Sequence, residues 1–189
     1  MKTILVSGSS SGIGFAICEE SKKQGHNVIG ISRNINSRAT ELGIRSYSVD
    51  VTNQNQINEL VNNLTSENIT IDILINNAGL LIKDKFRDTT DDTFKKVYDV
   101  NIFGLANLTR ALLPIINTDG QVINISSIGG VNKSKKFPGL SAYASSKGAL
   151  ITLTEVLAEE YRSRPRFNCL ALGSVKTKML AEAFPGYEA

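Results

Sequence analysis

An α/β fold, a mostly parallel sheet with helices on both faces, is what the chain of 189 residues predicts. Three observations carry that expectation. Short runs rich in Val, Ile and Leu recur without strict alternation, as strands buried on both faces require. Helical stripes lie between the runs. Strand, helix and strand then repeat in order, which implies right-handed crossovers in one sheet. The apolar runs fall at residues 3–7, 27–32, 44–49, 71–76, 121–127 and 166–171. Ile13, Ala16 and Ile17 begin a stripe after the first run. Ile57, Leu60, Val61 and Leu64 form one helical face after the third. Gly25 closes the first helix, Asp119-Gly120 opens the fifth strand and Pro165 precedes the sixth. One domain over residues 1–189 is the expected organisation.

Composition excludes several function classes. Lys plus Arg is 21 against 18 for Asp plus Glu, a formal charge of +3. So small an excess points to neither nucleic acid nor a membrane surface. Two cysteines, Cys18 and Cys169, are too few for a disulfide scaffold and too far apart for a metal knuckle. The single histidine, His26, sits beside the Gly25 turn and is expected in solvent; a zinc site or a His-based triad is not expected. No apolar run approaches the ~18 residues of a membrane span. The first strand-like run begins at Thr3, which leaves no room for a signal peptide. A cytoplasmic protein is the expectation.

Ser7-Gly8-Ser9-Ser10-Ser11-Gly12-Ile13-Gly14 joins the first strand to the first helix. Glycines there let backbone N–H groups approach a phosphate, and the helix N-terminus adds partial positive charge. Strand before and helix after is the context of a dinucleotide turn in a Rossmann-type, doubly wound sheet. Such sites place a selector at the end of the second strand, an acid when the ribose carries a free 2′-hydroxyl. Here that stretch reads Gly30-Ile31-Ser32-Arg33, with an arginine and no acid. Arginine suits a 2′-phosphate through charge-assisted hydrogen bonds. NADP(H) is therefore expected in preference to NAD(H).

The long helix after the fifth strand carries an anomaly. Tyr143, Lys147, Leu150, Ile151, Thr154, Leu157, Ala158 and Tyr161 share one face, apolar but for Lys147 and the polar ends of Thr154 and the tyrosines. A lysine in that stripe must find a partner or lose its charge. Phe94, Val97, Tyr98 and Asn101 share another face, so Asn101 points inward and its amide must be hydrogen-bonded. Ser126 and Ser127 end the fifth strand, and Asn76-Asn77-Ala78-Gly79 end the fourth, at the carboxyl edge where parallel sheets bind ligands.

Together these residues resemble the short-chain dehydrogenase/reductase family in its compact form. The matching elements are Gly8-x-x-x-Gly12-x-Gly14, Asp50-Val51, Asn76-Asn77-Ala78-Gly79, Asn101, Ile125-Ser126-Ser127 and Tyr143-x-x-x-Lys147, in family order. The resemblance implies a catalytic tetrad of Asn101, Ser127, Tyr143 and Lys147. Tyr143 would be the acid/base, Ser127 would hold the substrate oxygen, and Asn101 would hold a relay water. Lys147 would favour the phenolate and bond the nicotinamide ribose. Hydride would pass between the nicotinamide and a carbonyl or carbinol carbon of a small substrate. The cofactor would rest on Gly8, Ser10, Ser11, Gly12, Ile13, Gly14 and Arg33, with adenine beside Asp50 and Val51 and the adenosine half near Asn77 and Gly79. Val175 and Thr177 match positions that hold the carboxamide.

Two departures from the family pattern stand out. Leu172-Gly173 replaces the usual Pro-Gly after the sixth strand, loosening that turn without removing its donors. The family continues with another helix and a seventh strand, whereas this chain ends at Ala189. The expected sheet therefore lacks its last helix and strand, and a compensating contact or reduced stability is expected at the open edge. The tetrad lies wholly upstream. A homo-oligomer, dimer or tetramer, is expected. The alternative is a non-catalytic NADP-binding sensor or structural subunit, although such a protein has no need of Tyr143. A nucleotide-sugar epimerase or dehydratase would share the Tyr/Lys pair but uses a longer chain and other glycine spacing.

Overall fold

The computed structural model describes residues 1–162 and 164–186. Its strands are β1 (Thr3–Ser7), β2 (Asn27–Ser32), β3 (Arg45–Ser48), β4 (Ile71–Asn76), β5 (Ile116–Ser127) and β6 (Arg166–Leu172). They form one 6-stranded sheet in the order β3-β2-β1-β4-β5-β6, parallel throughout. The helices are α1 (Gly12–Lys23), α2 (Ser37–Glu41), α3 (Gln54–Ser66), α4 (Asp91–Tyr98), α5 (Leu105–Leu112), α6 (Ser141–Glu160) and α7 (Lys178–Ala183). The strand order reverses between β1 and β4, which opens a crevice at the carboxyl edge.

β1, β2 and β4 read as largely apolar runs because both faces of the sheet pack on helices there. Leu5, Ile29, Ile31 and Leu74 face α3 and α5, meeting Ile57, Leu60, Leu64 and Leu108. Ile4, Val6 and Val28 face the other way, onto Cys18 of α1 and Ala39 of α2. Burial pushes the Cys18 thiol up to about 12, so it behaves as a small apolar residue. On β6, Phe167 is buried while Leu170 is 48% exposed.

Two details differ from expectation. β5 begins at Ile116, so Asp119-Gly120 lies inside it; the register slips between Ile71 and Ile73 of the neighbouring strand to take up this polar start. His26 is half-buried rather than in solvent.

A buried polar chain crosses the sheet beneath the crevice. The Asn76 amide donates to Thr109 Oγ1 and to Asn124 Oδ1, both at 2.8 Å. Asn124 Nδ2 donates to Thr154 Oγ1 at 2.8 Å, and Thr154 donates to the Leu150 carbonyl at 2.6 Å. The chain joins α5, β4, β5 and α6 in a fixed register. Replacing Asn124 with Leu should destabilise the protein by about 1–3 kcal/mol, the cost of stranding buried partners. Chemical denaturation checks this; an unchanged midpoint would remove the chain from the structural account.

Candidate active site

The crevice is a cleft of about 830 Å³, within the range of cofactor sites. Of the residues expected to form the site, all but Gly14 and Asn101 line it. Those two lie behind the surface and shape it.

The glycine turn is built by close approach. A Cβ at Gly14 would stand 2.3 Å from the Gly8 carbonyl oxygen, so only glycine lets α1 start against the turn. Gly8 itself has φ +68, and its backbone touches Ala78 at the end of β4. Asn77 secures this junction: its Nδ2 donates to the Ser7 and Gly8 carbonyls at 3.1 and 3.2 Å. Ser7 Oγ accepts from the Asn77 and Ala78 amides, each at 3.1 Å. Ser11, at the cap position of α1, makes no side-chain cap bond among the described residues. The first N–H groups of a 12-residue helix thus face the cleft beside an uncommitted hydroxyl. A dinucleotide pyrophosphate fits this cradle by its chemistry.

Arg33 reaches the same cleft from the end of β2, beside Ser10 and Asn34. Among the described residues it takes no part in an ion pair. Asn36 caps α2 and donates to the Ser10 carbonyl at 2.8 Å, tying the selector loop to the glycine turn. Sequence reasoning missed this residue, although an asparagine just before a helix is an N-cap signal. Asp50 accepts from the Thr52 amide and hydroxyl at 2.9 and 2.8 Å, which shapes the β3–α3 turn. Thr177 caps α7, and its Cγ2 faces Gly12 across the cleft.

At the other end Tyr143 and Lys147 project from the first turns of α6. The Tyr143 phenol and the Ser127 hydroxyl line the same cleft; burial raises the Tyr143 pKa and the neighbouring Ser127 hydroxyl lowers it. Ser127 also accepts from the Gly129 amide at 3.2 Å. The turn after Ser127 is pressed onto α6, because a Cβ at Gly130 would stand 2.5 Å from the Gly148 nitrogen. That approach is what brings the end of β5 within reach of Tyr143.

Lys147 is 4% exposed, and its ammonium donates to the Ile125 carbonyl at 2.9 Å. It lies 5.8 Å from the Tyr143 ring centroid, alongside the ring rather than bonded to the phenol. Burial pulls its pKa down to about 8, opposed by the Cys169 thiol. Burial raises the pKa of Cys169, and the hydroxyls of Thr154 and Ser126 lower it.

Asn101 is fully buried in a π-helical stretch, Asp99–Gly104, between α4 and α5. Its Oδ1 accepts from the Leu80 amide at 2.7 Å; its Nδ2 donates to the Leu80 carbonyl at 3.0 Å and to Ser146 Oγ at 2.9 Å. The side chain therefore fastens the loop after β4 to α6. Ser146 was also missed, though it sits between Tyr143 and Lys147 on the same helix.

A doubly wound parallel sheet with a glycine cradle at its crevice, and a tyrosine, serine and lysine beyond it, defines a nucleotide-binding oxidoreductase. The chain belongs to the short-chain dehydrogenase family, whose model matches residues 2–188. It is 37% identical over 188 residues to the oxidoreductase UcpA of Salmonella typhimurium, covering 94% of this chain and 71% of that protein. A Shigella flexneri 2a protein of the short-chain dehydrogenase type, solved with NADP, superposes with a TM-score of 0.90 at 29% identity, over 99% of this chain and 83% of that one. A 4-hydroxyisoleucine dehydrogenase solved with NADH gives 0.83 at 31% identity, over 96% and 79%.

The depressed pKa of Lys147 has a consequence for stability. An unfolded lysine titrates near 10.4, and the folded one at about 8. Between those values the unfolded chain binds more protons, so this residue makes stability rise with pH across the window. Below the window its full penalty, on the order of 3 kcal/mol, is present. Lys147→Met removes that dependence. The stability gap between variant and wild type should move in favour of the wild type as pH rises from about 8 towards 10.5. Denaturation at several pH values checks this, and a gap independent of pH contradicts it.

Proposed function

We propose that the protein is an NADP-dependent oxidoreductase that interconverts a carbonyl and a hydroxyl on a small substrate. The observation that carries this reading is that the Tyr143 phenol and the Ser127 hydroxyl line one cleft, with the Lys147 ammonium beside the Tyr143 ring. When bound, a nicotinamide dinucleotide supplies or accepts the hydride. The chain's own residues handle the oxygen and its proton. Ser127 holds the substrate oxygen against the phenol. In reduction Tyr143 donates its proton to that oxygen, and burial keeps the phenol protonated at neutral pH. In oxidation Tyr143 accepts the proton, and the neighbouring ammonium favours the phenolate. Lys147 would hold the nicotinamide ribose by a hydrogen bond. Asn101 positions the loop after β4 and with it Gly79 and Leu80. The same reading takes the protein as a cytoplasmic homo-oligomer.

Tyr143→Phe should lower the turnover of a carbonyl panel by about a hundredfold or more, while NADP still binds. Absorbance at the reduced-nicotinamide band measures the first and calorimetry the second. Binding without turnover in both proteins would favour a sensor or structural subunit instead.

Arg33 is the proposed 2′-phosphate contact. Arg33→Ala should cut the ratio of kcat/KM for NADPH over NADH by about tenfold or more, the worth of a charge-assisted bond. An unchanged ratio would assign the preference elsewhere.

A further inference from the structure

Beyond the Tyr143–Ser127 pair the cleft is walled by the loop after β4, the segment after β5 and the region around α7. Leu81, Ile128, Phe137, Leu140, Met179 and Phe184 all line it. Ile128, Phe137 and Met179 leave 40%, 37% and 39% of their surface in solvent, unusually high for large apolar side chains that share a concave wall. Phe137 and Phe184 meet edge to face with centroids 6.0 Å apart.

Several lysines of these segments are committed to contacts within the protein. Lys83 donates to the Ala183 carbonyl at 3.0 Å and lies 4.0 Å over the Phe184 ring. Lys136 donates to the Gly129 and Val131 carbonyls at 2.7 and 2.6 Å. Lys178, on the cleft, pairs with Glu182 at 3.7 Å. Lys135 lies 5.9 Å over the Phe137 ring. These cations fasten loops, neutralise a neighbour or cover an aromatic face.

We infer that the substrate is an uncharged carbonyl compound with an extended apolar tail, which lies against Phe137 and Phe184 while its oxygen meets Ser127 and Tyr143. This rests on the oxidoreductase reading above and adds the substrate class to it. The test is NADPH-dependent reduction of the unbranched methyl ketones from butanone to decan-2-one, beside oxo acids of equal length. Each methylene should raise kcat/KM about fourfold until the wall is covered. A terminal carboxylate should lower it about tenfold or more. Phe137→Ala and Phe184→Ala, each checked for a native melting transition, should flatten the chain-length slope. A flat series in the wild type, or a preference for the oxo acids, overturns the inference. If no ketone is turned over, calorimetry of the same ketones with NADP and wild-type protein decides. A chain-length slope in affinity then upholds the tail site while the catalytic reading fails, and no slope sinks both.

Discussion

A lysine ammonium carried into the interior constrains much of the remaining architecture. Lys147 can stay charged there only if a fixed acceptor meets it, and the Ile125 carbonyl does so. Ser126, the next residue, donates back to the Lys147 carbonyl at 2.8 Å, so strand and helix are locked in both directions. The register of α6 against β5 is thereby set to within one residue. Tyr143, one turn earlier on the helix, inherits its place opposite Ser127 from the same lock.

The surrounding polar groups serve that geometry. The amides of Asn76, Asn77, Asn101 and Asn124 each join two or more elements. Each bridges segments far apart in the chain, which a local turn cannot do. An amide bonded to several elements tolerates little displacement, because a shift strands a donor or acceptor, although Asn76 Oδ1 itself has no hydrogen-bond partner among the described residues. The carboxyl edge of the sheet is stiff for this reason, although it is made of loops.

The sheet was legible because hydrophobic burial acts on every strand in the same way. Runs apolar on both faces mark strands between helices, and all six predicted runs became strands of the sheet, although β3 and β6 form its edges and are largely exposed. The start of β5 was not legible, since Asn117, Thr118 and Asp119 are polar and pair only through backbone. The glycine turn could be read because chain geometry demands glycine there. Lys147 betrayed itself as a charge in an apolar stripe. Its partner could not be foreseen, because a backbone carbonyl leaves no mark in the sequence. The widened helical turn at Asn101 was equally silent: the stripe through Phe94, Val97 and Asn101 puts the side chain inside but says nothing of the hydrogen-bond spacing. Asn77 lines the cleft as its reading as a ligand contact requires, and its amide also braces the glycine turn, a role the sequence did not signal.

The three segments around the far end of the cleft are lashed to one another. Lys83 grips the end of α7, Phe184 rests on Phe137, and the Asp84 amide donates to the Gly139 carbonyl at 2.9 Å. Loops joined in this way cannot drift apart in evolution one at a time. A change that suits one of them to a new compound loosens its two companions. Specificity transplanted between relatives would have to travel as a matched trio of segments, not as single exchanges.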